Sequence, residues 1–285
     1  MRSLFDSLDE TINHNTITDN VIAGNVEVIS FDNGTSATVH NNDCIKVMDS
    51  LIADDTYIPL VVMDPPYLIL NTKSGSKSNL SKSLQKSQDK LVKASITEGF
   101  DYEAVLDRLV KLQKGKINMY IWCNKAQIPT YFNYFIDGLG CSFDILKWVK
   151  TNPIPTFYNK YTTDTEYCLY FRKGGLCMPK NMEDASTLFL DATNAKDNKK
   201  YAHPTVKHLE HIERLIRNSS RENDLILDPF SGSGTTAVAA LNLGRNFIGA
   251  ELDKTFFDTS VSRIKNNPVN KPINNNSNLF AQDVA

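Results

Sequence analysis

Apolar and polar positions change period several times along this chain. After a polar N-terminal stretch, VEVISF and TSATVH flank Asp32-Asn33-Gly34, whose Asn-Gly pair tolerates positive φ, so the pattern predicts a hairpin leading into Asp43. DCIKVMDSLI has helical spacing. PLVVM is short, β-branched and flanked by proline, as a buried strand is, and Asp64 falls at its C-terminal end. A helix-period stretch from Asp101 to Lys114 precedes the strand INMYIWC, a second helical stretch, and the strands FDILKWVK and EYCLYF. A polar, irregular region runs from Lys173 to Ala202. Beyond it VKHLEHIERLI reads as helix, LIL as buried strand, GTTAVAALNL as helix, NFIGAEL as strand and KTFFDTSVSRI as helix. Strands alternating with helices predict an open, mostly parallel α/β sheet covered on both faces.

Length and charge narrow this picture. The 285 residues suffice for one sizeable core, and the formal charge of -2 lacks the overall excess of many nucleic-acid binders. A nucleic-acid role must therefore rest on local patches. One such patch is the segment in which Lys73, Lys77, Lys82, Lys86, Lys90 and Lys93 are opposed by Asp89 alone, read as a flexible basic loop over 68–100 that contacts phosphates. The five cysteines are scattered without a C-x-x-C pair, MRSLFDSLDE has no apolar leader core, and no apolar run approaches the roughly 18 residues of a membrane span. These features predict a reduced, cytoplasmic protein with no membrane partner. The Asn-rich stretch 266–285 is expected to be a disordered tail.

Candidate chemistry gathers in two places. In LILDPFSGSGTTAVAA a strand ends at Asp228, a glycine turn follows, and a helix begins near Gly234. Gly232 and Gly234 let backbone amides approach a ligand, and Glu251 at the end of the next strand can accept hydrogen bonds from both hydroxyls of a ribose. No lysine follows the glycines, which disfavours a phosphate-binding P-loop; NAD and S-adenosylmethionine both remain open on this segment alone.

The second place is Asp64-Pro65-Pro66-Tyr67, at the carboxyl end of the strand PLVVM, where open α/β sheets bind ligands. An exocyclic amine on adenine or cytosine is a poor nucleophile, because its lone pair is delocalised into the ring. A catalyst should accept its N–H groups and favour a pyramidal nitrogen. Asp64 supplies one acceptor, the Pro65 carbonyl held by rigid prolines a second, and Tyr67 an aromatic face for a base flipped out of the duplex. Direct transfer from a sulfonium requires no metal. His203, His208 and His211 are read as a solvated cluster rather than a metal site.

Together these motifs resemble the beta class of DNA amino-methyltransferases, with the catalytic tetrapeptide early and the glycine loop late. The similarity covers about Asp43 to Ile264. Ala202-His203-Pro204-Thr205-Val206-Lys207 resembles the family segment lining the methionine side of the cofactor, and Asn42-Asp43-Cys44 resembles the segment that approaches its adenine. LKWVKTNPIPTFYNKYTTDTEYCLYF, with Asn152, Phe157 and Glu166, resembles the stretch that follows the catalytic motif. The chain departs from the pattern at Asn42, Thr165 and His208.

The resemblance implies a Rossmann-like S-adenosylmethionine-dependent methyltransferase fold, circularly permuted, with a mostly parallel seven-stranded sheet and one antiparallel strand. One catalytic domain would occupy 1–265, with 173–202 as a short target-recognition region. Asp64, Pro65, Pro66 and Tyr67 would be catalytic. Asp43, Cys44, His203, Thr205, Lys207, Asp228, Pro229, Phe230, Ser231, Gly232, Ser233, Gly234, Thr235, Thr236, Glu251 and Leu252 would bind S-adenosylmethionine. Lys73, Lys77, Lys82, Lys86, Asn152, Phe157 and Lys160 would contact double-stranded DNA. The expected activity is adenine-N6 methylation, with cytosine-N4 methylation as the alternative and an NAD-dependent oxidoreductase or a silent nucleic-acid-binding module as remoter ones. The resemblance leaves room for a cognate restriction endonuclease and for a homodimer.

Overall fold

A computed structural model describes residues 25–67, 101–153 and 161–267. The whole basic loop 68–100, with Lys73, Lys77, Lys82 and Lys86, as well as Phe157, Lys160 and nearly all of the tail, falls outside the described residues. In chain order the elements are β1 (Asn25–Ser30), β2 (Ser36–Asn41), α1 (Cys44–Ala53), β3 (Leu60–Met63), α2 (Tyr102–Leu112) and β4 (Ile117–Cys123). Helix α3 (Ile128–Phe132) then runs into a π-helical turn over Asn133–Gly138, followed by β5 (Ser142–Lys150), β6 (Thr165–Lys173), α4 (Met182–Ala185), β7 (Leu188–Asp191) and α5 (Ala195–Lys200). The chain continues through α6 (Leu209–Ser219), β8 (Leu225–Asp228), α7 (Thr235–Asn242), β9 (Asn246–Ala250) and α8 (Lys254–Lys265).

The described strands form one sheet in the order β1-β2-β9-β8-β3-β4-β6-β5-β7. β2, β9, β8, β3 and β4 run parallel, β6 lies antiparallel between β4 and β5, and β7 runs parallel to β5. As the resemblance implied, the late strands β8 and β9 sit between the early strands β3 and β2. The sheet is nonetheless wider than the seven strands and single antiparallel member expected. β1 pairs antiparallel on β2 at one edge, and β7 adds a strand at the other. β7 lies inside the region read as irregular, because LFLD is short and only Phe189 of its four residues is buried.

The central strands explain the two faces. Every residue of β3 and β4 is buried, as befits strands covered on both sides. Along β4 the side chains alternate. Tyr120 and Trp122 join a core beneath α6, α7 and α8, whereas Met119, Ile121 and Cys123 join the core under α1, α2 and α3. Truncating one such aliphatic, Ile121→Ala, is expected to cost about 2–5 kcal/mol. Helix starts are set by aspartates: Asp43 accepts from the Ile45 amide at 2.8 Å, Asp101 from Ala104 at 3.0 Å, and Asp253 from Thr255 and Phe256 at 2.7 and 3.1 Å. Each such cap contributes about 1 kcal/mol.

The site follows from the strand order. Leaving β8 the chain moves towards β9, and leaving β3 it moves towards β4, so the direction of winding reverses between them. A crevice opens at the carboxyl ends of parallel strands at such a switch point. Asp228 ends β8, and Asp64 immediately follows β3.

Candidate active site

The glycine-loop side of the crevice is built almost entirely from consecutive backbone. Asp228 is buried and uses both oxygens within its own loop: Oδ1 accepts from the Phe230 amide at 3.0 Å and Oδ2 from the Thr236 hydroxyl at 2.6 Å. Burial pushes its carboxyl up to about 7 against those two bonds. Asp228 thus braces the turn across Pro229 to Thr235. Gly232 and Gly234 take φ of 50° and 77°, which disfavours any residue with a Cβ. At Gly234 a Cβ would also lie 2.5 Å from the Ser260 hydroxyl and 3.3 Å from its Cα.

Glu251 stands just past β9, fixed by its own amide donating to the His40 carbonyl at 2.9 Å. Its Oε2 accepts from the Gly232 amide and its Oε1 from the Asp253 amide, each at 2.8 Å, leaving each oxygen a further lone pair. Burial pushes this carboxyl up to about 7, with the two amides opposing. Asn41 at the end of β2 donates to the carbonyls of Glu251 and Leu252 at 2.9 and 3.1 Å. That bond draws Asp43 and Cys44 towards the same end of the sheet. Burial, then the neighbouring Asp43, pushes the Cys44 thiol up to about 12, so it is an uncharged packing group. Arg263 of α8 ties the loop down, donating to the Thr235 hydroxyl at 2.8 Å and to Ser233 at 3.3 Å while lying over the Tyr201 ring at 4.1 Å.

The segment 203–207 crosses from this cradle to Asp64. His203 packs against Phe256 with the rings tilted at 59° and their centroids 4.4 Å apart, and its Nε2 would lie 3.3 Å from a Cβ at Gly232. Burial drops its pKa to about 4, so it is neutral near pH 7. The Thr205 amide donates to His203 Nδ1 at 3.3 Å, and four residues after His203 the Lys207 ammonium reaches Asp64 Oδ2 at 2.6 Å.

Around Asp64 side chains from distant segments replace local backbone. Lys207 is 7% exposed and also meets Glu166 Oε2 and the Tyr67 hydroxyl, both at 3.3 Å; its ammonium lies 5.3 Å from the ring centres of Tyr67 and Trp122. Burial works against its charge, but Asp64 and Glu166 outweigh it and hold its pKa above the lysine norm. Glu166 in turn accepts from Lys150 at 2.6 Å. Burial would raise its pKa, yet Lys207 and Lys150 bring it down to about 2. Asp64 keeps 25% of its side-chain surface accessible, and the burial of the rest raises its pKa. Lys207 pulls that value down, Glu166 pushes it up, and the nearby Tyr67 hydroxyl favours the carboxylate. Asp64 Oδ1 is buried and makes no hydrogen bond within the protein.

The sequence alone did not point to two members of this corner. Lys150 sits on β5 and reaches the cluster only because β5 pairs with β6. Gln127, 4% exposed at the start of α3, donates through Nε2 to the Pro66 carbonyl at 3.1 Å and accepts from the Asn124 amide at 3.2 Å. It pins the Pro-Pro turn from a position 61 residues away. Asn152, expected at the DNA, pairs with Thr193 through both amide atoms, at 2.8 and 3.3 Å.

Comparison with known proteins adds to this geometry. The sequence profile of the DNA methylase family N6_N4_Mtase matches residues 58–262, a span that takes in both Asp64 and the glycine loop. The chain belongs to the N6/N4 DNA methyltransferase family. Among its relatives, the type II methyltransferase M2.MboI of Moraxella bovis is 30% identical over 79% of this chain and 86% of that protein. The type II methyltransferase M2.DpnII of Streptococcus pneumoniae is 32% identical over 79% and 88%. Among solved structures, the M1.HpyAVI complex with S-adenosylmethionine superposes with a TM-score of 0.59 at 28% identity, covering 80% of this chain and 99% of the other. The cytosine-N4-specific PvuII DNA methyltransferase shares the fold, with a TM-score of 0.57 at 15% identity over 80% and 86%.

As a family member the chain is a DNA methyltransferase and takes S-adenosylmethionine as methyl donor, which removes the hydride-transfer and silent-module alternatives. The residues present suit that cofactor. Glu251 offers free lone pairs for two ribose hydroxyls, the positive-φ glycines leave room for close backbone approach, and the buried Ser231 hydroxyl makes no hydrogen bond within the protein. Among the described residues no helix is long and apolar enough to cross a membrane.

Proposed function

We propose that the chain methylates N6 of a flipped-out adenine in DNA. The carrying observation is the state of Asp64: one oxygen is engaged by Lys207, while the other is buried and without a partner at the switch point of the sheet. That unpaired Oδ1 suits a single N–H of an amino group, and the Pro65 carbonyl, on a backbone stiffened by two prolines and pinned by Gln127, suits the second. Tyr67 offers its face to the base. The cofactor supplies an electrophilic methyl group on a sulfonium. With both N–H groups accepted, the amine lone pair is freed from the ring and forms the new C–N bond. Transfer of that methyl group would leave the C–S electron pair on the sulfur, and Asp64 Oδ1 would take the proton shed by nitrogen. Holding the two reactants in line supplies most of the remaining acceleration.

The fold is shared with a cytosine-N4-specific enzyme, so it does not choose the base. Asp at the first catalytic position favours adenine, since many cytosine-N4 enzymes resemble this motif with Ser there. For recognition of the target sequence the same reading assigns 173–202, in which β7 forms the far edge of the sheet and α5 is bonded through Asn198 to the segment 204–206. Digesting methylated DNA to nucleosides and identifying them by mass spectrometry tests the base. N6-methyladenine is expected, and N4-methylcytosine as sole product would overturn the assignment.

A further inference from the structure

Lys207 lies in the segment whose resemblance implies cofactor binding, yet its ammonium makes its contacts on the substrate side. It meets Asp64 Oδ2 at 2.6 Å, Glu166 Oε2 at 3.3 Å and the Tyr67 hydroxyl at 3.3 Å, and it is almost wholly buried. Glu166 is itself held by Lys150 on its other oxygen. The alternating chain Asp64, Lys207, Glu166, Lys150 therefore runs from the catalytic motif across to β5. Four ionised groups this close are stable only while each has its neighbour, because an unpaired buried charge is costly.

We propose that Lys207 is a positioning residue for methyl transfer: it occupies Oδ2 of Asp64, keeps the carboxylate ionised and turns Oδ1 towards the target amine, while Glu166 fixes Lys207 for that task. The proposal rests on the reading that Asp64 accepts the amine. It explains why Oδ1 is the oxygen left without a partner. Asp64 has two like charges to contend with, Glu166 on β6 and Asp228 at the end of β8, and Lys207 is the positive side chain bonded to it. The other titratable groups facing it are the Tyr67 hydroxyl on its own loop, the Cys123 and Cys168 thiols of β4 and β6, and the Tyr131 hydroxyl of α3. Burial pushes all four above their usual values, so they are neutral at working pH and cannot replace the ammonium.

The two neighbours of Asp64 should act in opposite directions. Removing the ammonium leaves the carboxylate facing Glu166 unshielded, which favours its protonated form. Removing the Glu166 charge does the reverse. Single-turnover methylation of a DNA duplex with labelled S-adenosylmethionine, followed from pH 5 to 9, reads both. Lys207→Met should move the acid limb of the rate upward by about one unit or more, with activity recovering towards high pH, and Lys207→Arg should leave it near the wild-type position. Glu166→Gln should move it downward. Calorimetric titration with S-adenosylmethionine should find each variant within about threefold of wild type.

A loss of rate that is uniform across pH in Lys207→Met would overturn the proposal, as would a tenfold weaker cofactor affinity with an unmoved acid limb, which would return Lys207 to the cofactor. Should Lys207→Met fail to fold, Glu166→Gln decides alone, and an unmoved or raised limb there overturns the idea. N4-methylcytosine as the wild-type product would sink the adenine assignment and leave this test intact, because the acid limb is read on whichever amine is methylated.

Discussion

The glycine-loop cradle and the Asp64 corner, proposed to hold the cofactor and the target amine, lie side by side at the carboxyl ends of β8 and β3, yet they are built in opposite ways. The cradle is a run of consecutive residues whose backbone does the work. Asp228 satisfies itself within its loop, two glycines take positive φ, and Glu251 is fixed by amides. The corner is a meeting of single side chains from β3, β5, β6, α3 and the segment before α6. Local backbone sets a shape that tolerates little substitution, whereas an assembly of charges sets a protonation state. Changes in the first should therefore move affinity for the cofactor and changes in the second should move rate.

The largest expected effect is at Asp64. Asp64→Ala should lower the methylation rate by roughly 100- to 1000-fold, the usual consequence of losing a preorganised group aimed at the reacting centre. Cofactor affinity, measured on the same preparation by calorimetry, should stay nearly unchanged. A rate within tenfold of wild type would break the division between the two regions.

Glu251→Ala is the matching change in the cradle. Loss of two charge-assisted bonds of about 1.5 kcal/mol or more each should raise the dissociation constant of S-adenosylmethionine by a factor on the order of 100. The rate at saturating cofactor should be far less affected. An unchanged constant would place the ribose elsewhere.

A smaller effect sharpens the comparison through pH. The free Glu251 carboxyl titrates near 7, and accepting two hydroxyls favours its ionised form. Below that pH a proton must leave before binding, so cofactor affinity should fall by up to about tenfold per unit as pH drops from 7 and stay level above it. A flat profile between pH 5.5 and 8, followed by calorimetry, would contradict this account of the carboxyl.

The smallest change is expected at Gln127, which touches neither reactant. Gln127→Ala should slow methylation by about threefold to tenfold by loosening the Pro66 carbonyl, while leaving cofactor affinity within error; one hydrogen bond of this kind is worth about 1 kcal/mol. Stopped-flow or quench measurement of the single-turnover rate would detect it, and a rate equal to wild type would show that the prolines alone hold the turn.

The contrast also explains what was legible in the sequence. The strand, glycine turn and helix from Leu225 to Asn242 are contiguous, so their pattern alone placed the cradle, and the order of Asp64 and the glycine loop disclosed the permuted strand order. Lys207 was visible as part of a motif, but its direction was not, because nothing local states that it will turn to Asp64 143 residues away. Gln127 and Lys150 carried no signal beyond being polar beside apolar runs. β7 escaped notice for a different reason: three of its four residues are accessible, so it lacks the apolar run that marks the inner strands.

The permuted strand order has a consequence for how the molecule is made. β2 and β3 leave the ribosome early, but the strands that belong between them, β9 and β8, come last: Asn41 waits for a partner 210 positions later. Until then β3 exposes a bare, wholly apolar edge, and the sheet cannot close by pairing neighbours in order of synthesis. Long-range pairing of this kind slows folding and exposes intermediates to aggregation. Nascent chains arrested before Leu225 should accordingly be digested readily by a protease and bound by chaperones. A protease-resistant N-terminal core in such chains would show that the first strands find a temporary pairing of their own.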